Sequence, residues 1–338
     1  MRSWMLDPSR GVPEQVERDL PEPGPHQILV EVRAASLNRG EFLAGAPGVP
    51  RPCGMEAAGT VLACGRDLVA RDGSAAWLPG TRVMGRTTGG FATHALIEGH
   101  DAMEVPEGLS WEQAGAIPIA YLVAYDMLVL GGQLGRGQWL LIAGVSSGVG
   151  VACLQMGKVL GAKVIGTSGS AHKLARLADH GLDLGICARG GDFVAQVRDH
   201  THDQADTHPP LRGPGVHLAV NNVGGSAFAA CLAVLRFQGR LAQVGFVDGV
   251  RQGAIDLDLL HSQRLHVFGV SNRLRTAEQR AATVRSFSRD MLAHVHNGSL
   301  RPLVDQVFAF DELPQAHQMM LADRHVGKLV LRMDAPRA

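Results

Sequence analysis

The sequence predicts an α/β chain of two domains, one β-rich and one built on a doubly wound parallel sheet. Three observations predict it. The first is size: 338 residues with 46% hydrophobic content suit two cores better than one. The second is a change of rhythm. Up to about residue 120, strand-like runs are separated at short intervals by Gly and Pro, whereas from about residue 122 strands alternate with helices. The third is the stretch Trp139–Gly150, an apolar run that ends in a glycine-rich turn and leads into a helical segment. A buried parallel strand, a tight turn and a helix N-terminus together make a site for a pyrophosphate. Backbone N–H groups can approach the phosphates there, and the positive end of the helix dipole faces them.

The elements follow in order. Gln27–Ala34, Gly59–Ala63, Thr81–Met84 and Phe91–Ile97 have strand character. Trp111–Ala116 begins a helix, with Ser110 as N-cap and Gln113 where a capping box needs it. Ala114–Leu130 is apolar but contains a proline and Asp126, so it reads as a buried helix rather than a membrane span. Trp139–Ala143, Lys163–Thr167, Leu184–Cys187, Leu218–Val223, Leu241–Phe246 and His266–Val270 read as strands. Between them, Val151–Leu160 and Ala171–His180 read as helices, the second stopped by Gly181, and Phe193–Val197 starts a third. Thr276–His296 is one long helix and Lys328–Arg332 a terminal strand.

Lys+Arg and Asp+Glu are both 32, so the formal charge is zero and neither nucleic acid nor an anionic membrane is an expected partner. Arg2 and Asp7 interrupt the start of the chain, which lacks a signal-peptide apolar core; a cytoplasmic protein is expected. The cysteines at 53, 64, 153, 187 and 231 are odd in number and never spaced Cys-x-x-Cys. They read as buried, reduced thiols and not as a disulfide or zinc framework. Arg198–Gly215 carries three histidines, three aspartates and three prolines. A solvated loop is the plain reading, and a metal loop using His200, His202 and His208 is the alternative.

The glycine-rich turn departs from G-x-G-x-x-G. Aligned on Gly150, its first two glycine positions hold Val145 and Ser147, but the small residues Gly144, Ser146, Ser147, Gly148 and Gly150 keep backbone access, and with Val149 they are the candidate cofactor-binding residues of the turn. A purely structural strand–helix turn is the alternative. The second strand ends in Ser168-Gly169-Ser170 without the acidic residue that binds a ribose 2′-hydroxyl in NAD sites, and Lys173 and Arg176 follow. Hydroxyls plus a cation suit a 2′-phosphate, hence NADPH.

In ordered blocks along nearly the whole chain the sequence resembles the medium-chain dehydrogenase/reductase superfamily, in its zinc-independent quinone oxidoreductase branch. The blocks are Ala35-Ser-Leu-Asn38, Cys53-Gly-Met-Glu-Ala-Ala-Gly59, Gly80-Thr-Arg-Val83, Gly89-Gly-Phe-Ala92, Gly144–Gly150, Gly166–Ser170 with Lys173, Asn222-Val-Gly-Gly225, Gly239-Arg-Leu241, Gly245 and Gly327-Lys-Leu-Val330.

The resemblance implies a GroES-like β domain from residues 1–121 and 272–338, set against a Rossmann domain over 122–271 with the active site in the cleft. It places Asn38 where zinc alcohol dehydrogenases carry a cysteine ligand and Met55 where they carry a histidine. An amide and a thioether do not replace those ligands, so no metal is expected. It also implies hydride transfer from NADPH to a quinone or an α,β-unsaturated carbonyl, whose conjugation spreads the incoming charge. An enoyl-thioester reductase is the second reading, and a nucleotide-binding protein with vestigial catalysis the third.

Asn38 is the implied active-site donor. Lys173 is the implied 2′-phosphate ligand, and Arg189 substitutes for a tyrosine that relatives carry where Ala188 stands. Asn222 is expected near the ribose, with Gly245, Phe246, Val270 and Ser271 at the ends of two later strands. Leu43 stands where some relatives have a tyrosine. Tyr121 is the remaining candidate proton donor, with a buried helix aromatic as its alternative. By the same analogy the chain forms a homodimer through the apolar edge at 266–271.

Overall fold

The computed structural model describes residues 1–7, 11–42, 48–68, 77–202, 213–271 and 275–333. It divides into two compact units, Met1–Leu122 with Thr276–Ala338, and Val123–Arg275. The boundaries expected from sequence, after residues 121 and 271, fall one and four residues earlier than these.

The first unit opens with strands β1 (Arg2–Leu6), β2 (Pro13–Glu17) and β3 (Gln27–Ser36), then a short helix α1 (Arg39–Phe42). Strands β4 (Arg51–Pro52), β5 (Glu56–Cys64), β6 (Arg82–Thr87) and β7 (His94–Glu104) follow. β3 pairs β5, β5 pairs β6, β6 pairs β7, and β7 pairs back onto β3. This closed circuit removes open edges and is filled by Ile28, Val30, Val61, Val83 and Ile97. Helix α2 (Trp111–Gly115) starts at Ser110, whose side chain accepts from Gln113 N while the Gln113 side chain accepts from Ser110 N. This is the capping box expected from sequence.

One sequence expectation is corrected here. Ala114–Leu130 is not one buried helix: α2 stops, α3 (Ala120–Tyr125) restarts after Pro118, and a π-helical turn, Asp126–Gly131, follows. Pro118 lacks the N–H that a continuous helix needs and disfavours helical backbone at Ile117.

The second unit alternates strands β8 (Trp139–Ala143), β9 (Lys163–Ser168), β10 (Leu184–Cys187), β11 (Val216–Asn221), β12 (Leu235–Gln243) and β13 (His266–Gly269) with helices. The helices are α4 (Gly148–Val159), α5 (Ala171–Ala178), α6 (Val194–Thr201), α7 (Gly225–Ala233) and α8 (Leu257–Ser262). The sheet is wholly parallel in the order β10-β9-β8-β11-β12-β13. β8 is buried throughout, as a strand covered by helices on both faces must be. Leu141, Ile165, Phe193, Ala219 and Leu241 form one core cluster.

The chain returns to the first unit through α9 (Ala277–His296), β14 (Val304–Ala309), α10 (Leu313–Leu321) and β15 (Lys328–Arg332). β15 inserts between β14 and β3, pairing Val330 with Ser36. Leu329, Leu331, Phe310 and Leu313 join Trp4 and Phe91 in its main core.

No helix among the described residues is long and apolar enough to cross a membrane. The thiol expectation is corrected in part: Cys53, Cys153 and Cys231 are buried, but Cys187 is exposed and Cys64 intermediate. Cys187 ends β10, an edge strand of the parallel sheet.

Candidate functional site

Register brings the cofactor candidates to one edge. Ala143 pairs with Thr167 and with Asn221, Asn221 pairs with Gln243, and Gln243 pairs with Gly269. The carboxyl ends of five strands therefore stand side by side. Gly144–Gly150, Ser168, Asn222, Gly245 and Val270 all lie at or just beyond those ends. Chain order reverses between β8 and β11, and a parallel sheet presents its ligand crevice at such a switch point.

The turn after β8 is built for close approach. Gly144 has φ +80°, and its N–H donates to Thr167 O at 3.1 Å. Ser147 caps α4: its Oγ accepts from Gly150 N at 3.0 Å and donates to Gly144 O at 2.9 Å. A β-carbon at Gly150 would stand 2.4 Å from Gly144 O, so only glycine lets the helix start this near the strand. Gly148 and Val149, the first residues of α4, have no intrahelical acceptor for their N–H groups. This cradle fits a diphosphate.

Ser146 Oγ lies 3.3 Å from Ser168 Oγ, linking the turn to the end of β9. Ser170 caps α5 and accepts from Lys173 N. The Arg189 side chain lies across Gly169, where an added β-carbon would meet its Nε at 3.1 Å. Ser168 and the Arg189 side chain thus border the turn after β9, and Lys173 lies in the first turn of the helix that follows it. Asn222 is 5% exposed, and its Nδ2 donates to Ala143 O at 3.3 Å, tying β11 to β8 across the switch point.

Phe246 departs from expectation. β12 stops at Gln243, so Gly245 and Phe246 lie beyond the strand, and the Phe246 ring is 49% exposed. The Gln243 amide folds over this exit, donating to Gly245 O at 2.7 Å. Likewise β13 ends at Gly269, and Val270 is buried just past it while Ser271 is exposed. An exposed concavity of about 520 Å³ lies elsewhere, at the start of β13 beside Arg240, His266 and Val267.

The first unit holds a buried polar network around Asn38. The Lys328 Nζ donates to Leu37 O at 3.0 Å, Asn38 Oδ1 at 2.8 Å and Glu56 Oε1 at 3.0 Å. Glu56 is fully buried; its Oε1 also accepts from Asn38 Nδ2 at 2.7 Å and from Ser36 Oγ, and its Oε2 from Ile119 N at 2.7 Å. Glu41 takes the backbone: Oε1 accepts from Asn38 N at 2.9 Å and Oε2 from Met55 N at 3.0 Å. Burial, the largest influence, pushes the Glu41 carboxyl up to about 8. Burial likewise pushes the neighbouring Cys53 thiol up to about 12, leaving it unreactive near neutral pH.

Lys328, Glu56, Ser36 and Glu41 were not singled out from sequence as site residues. A signal was present, since Glu56 and Lys328 each open a strand and are followed at once by three residues without polar side chains, and a charge in such a place needs a partner. Tyr121 is 1% exposed in α3, in line with the core-aromatic alternative. Of the three loop histidines, His208 lies outside the described residues, as does Leu43, and the His200 ring stands edge-on to Trp139 at 5.2 Å. Among the described residues no group of three or more His, Cys, Asp or Glu could hold a metal ion.

Comparison with known proteins agrees with this fold. The alcohol dehydrogenase GroES-like domain family matches residues 24–123, and the zinc-binding dehydrogenase family matches residues 148–287. A phenolphthiocerol/phthiocerol polyketide synthase of Mycobacterium tuberculosis is 27% identical over 311 residues, covering 90% of this chain but 13% of that protein. Human quinone oxidoreductase is 24% identical over 321 residues, 92% of this chain and 91% of its own. The chain therefore spans about an eighth of the synthase and nearly all of the oxidoreductase. Among solved structures, mycobacterial Rv1454c complexed with NADPH superposes with a TM-score of 0.82 at 24% identity, covering 98% of this chain and 99% of its own. The CurK enoyl reductase superposes with a TM-score of 0.82 at 22% identity, covering 98% and 99%. Both share the fold.

Proposed function

The chain belongs to the medium-chain dehydrogenase/reductase superfamily, in its quinone oxidoreductase-like branch, and from that premise we propose an NADPH-dependent reductase of quinones or α,β-unsaturated carbonyls that works without zinc. The observation that carries this reading is the Lys328 ammonium, fixed 2.8 Å from Asn38 Oδ1 and 3.0 Å from Glu56 Oε1. A divalent cation placed there meets a buried positive charge and an amide oxygen already engaged, neither of which favours it. A site without a Lewis acid suits an acceptor whose own conjugation carries the developing negative charge.

The residues divide the work. The Gly144–Gly150 turn and the start of α4 hold the diphosphate. Ser168, Lys173 and Arg189 hold the 2′-phosphate, and Asn222, Gly245, Phe246, Val270 and Ser271 border the rest of the nucleotide. Bound NADPH supplies the hydride. Asn38 has one amide hydrogen on Glu56; the other meets the Ser36 carbonyl at 3.4 Å, near the limit of hydrogen bonding, and is the donor for the acceptor's oxygen. Tyr121 is enclosed, so the product takes its proton from water. A single screen of NADPH and NADH oxidation against 1,4-benzoquinone, 2-alkenals, crotonyl thioester and simple ketones tests the reading. Quinone or alkenal turnover with NADPH is expected, and turnover of simple ketones alone would overturn it.

The match to a polyketide synthase and the fold shared with an enoyl reductase favour one second reading, an enoyl-thioester reductase. Crotonyl-thioester turnover above that of the quinone selects it. Tight NADPH binding without turnover selects a vestigial nucleotide-binding role.

A second copy of the chain belongs at β13, the last strand of the parallel sheet, whose His266, Val267 and Gly269 are exposed. Sedimentation at micromolar concentration should give a dimer, and a monomer alone would remove this assignment.

A further inference from the structure

We infer that Lys328 and Glu56 are positioning residues for the proposed reduction: they hold the Asn38 amide in a single orientation, with its second N–H, only 3.4 Å from the Ser36 carbonyl, able to turn to the substrate. The inference rests on the reading that Asn38 contacts the acceptor.

Three facts carry it. An asparagine side chain presents an oxygen and an NH2 group of nearly the same shape, and only its partners decide which faces which way. Here the partners are of opposite charge. The ammonium of Lys328 can only donate, and it faces Oδ1 at 2.8 Å; the carboxylate of Glu56 accepts, and it faces Nδ2 at 2.7 Å. A flipped amide would set NH2 against the ammonium and oxygen against the carboxylate, losing both bonds and replacing them with repulsion. The clamp is itself fixed. All three Lys328 hydrogens are used, by Leu37, Asn38 and Glu56, and the far carboxylate oxygen of Glu56 is anchored by Ile119 N. Lys328 is 5% exposed and Glu56 0%, so water does not compete for these bonds.

The arrangement differs from a buried ion pair that serves stability alone. Such a pair needs no neutral third member, and replacing both charges with neutral groups of similar size often leaves stability unchanged or improved. Orientation of Asn38, however, depends on the charges. The neutral pair of Lys328→Met with Glu56→Gln should therefore restore stability relative to Lys328→Met without restoring turnover.

The test combines an activity cycle with spectroscopy of the cofactor-free protein. Lys328→Met and the double variant with Glu56→Gln are each made in the native and Asn38→Ala backgrounds. The expected loss in kcat for the acceptor is about tenfold for either in the native background, with the NADPH KM within about twofold of native. In the Asn38→Ala background the same changes should cost less than about twofold, because nothing is left to orient. Equal losses in both backgrounds, or native kcat in the variants, would overturn the inference.

Asparagine-selective ¹⁵N labelling gives the second readout, with the Asn38 signals identified by their loss in Asn38→Ala. The two Nδ2 hydrogens should be well separated in shift and slow to exchange in the native protein, and averaged in the double variant. Averaged or fast-exchanging signals in the native protein would overturn the inference even if neither variant folded. Native kcat in Asn38→Ala would instead remove Asn38 from the proposed function, while the spectra would still report whether the amide is clamped.

Discussion

The two polar regions of this molecule are built on opposite plans. At the carboxyl edge of the parallel sheet, the groups on offer are mostly backbone, presented by a short run of sequence whose side chains are kept small. Around Asn38 they are mostly side chains, drawn from β3, α1, β5 and β15, and nearly saturated by one another and by the backbone of Leu37, Met55 and Ile119. The first region is open to a large anion of fixed geometry. The second leaves a single hydrogen-bond donor. A nucleotide needs many weak contacts along its length, whereas a reacting carbonyl needs one group in one place.

The contrast can be broken at either end. The largest effect is expected in the saturated region. Lys328→Met strands the Glu56 carboxylate, and removing one partner of a buried pair costs about 3–5 kcal/mol in unfolding free energy. Denaturant unfolding measures it, and a cost below about 1 kcal/mol would mean that the carboxylate is not dependent on the ammonium. Gly150→Ala comes next. Its β-carbon would press on Gly144 O at 2.4 Å and Val145 O at 2.7 Å, and such overpacking costs about 1–3 kcal/mol. Spent on distorting the turn, that lowers NADPH affinity roughly 5- to 150-fold in a fluorescence titration. Unchanged affinity would show that the turn is not the diphosphate cradle.

Lys173→Ala sharpens the cofactor assignment. It should raise the NADPH KM about tenfold, in the range of one charge-assisted contact, and leave the NADH KM alone. Equal effects on both would remove the 2′-phosphate assignment.

The most gradual effect comes from Glu41. Its carboxyl is lifted from the ordinary 4.5 to about 8 by burial, so between those values the folded chain holds a proton that the unfolded chain has released. Stability is then full below about pH 4.5 and declines as pH rises through about 8, by at most about 1.4 kcal/mol per pH unit. Urea midpoints measured from pH 4.5 to 8.5 should fall in the native protein by more than in Glu41→Gln. Parallel profiles would contradict the assignment.

How much of this was legible in the sequence follows from the same contrast. The strand–turn–helix at Trp139–Gly150 is local: apolar run, small residues and helix start are contiguous, so the pattern alone predicts the geometry that Ser147 and Gly144 adopt. The capping box at Ser110 was legible for the same reason. Strand ends were less so. β12 stops three residues short of Phe246, because a run of apolar residues does not reveal where ladder pairing ends. The network at Asn38 was legible only as one residue of a motif. Its partner Lys328 lies 290 positions away, and no spacing rule joins them; only the insertion of β15 between β14 and β3 does.

That insertion has a consequence for synthesis. As the chain leaves the ribosome, β3 and Glu56 emerge early and wait for nearly the whole remainder to be made. Until β15 docks, a carboxylate destined for a dry interior has no counter-ion, and the barrel beside it lacks a neighbour. The first unit thus cannot settle ahead of its last strand, and a transcript cut short before Lys328 yields a product that cellular proteases should recognise as unfinished.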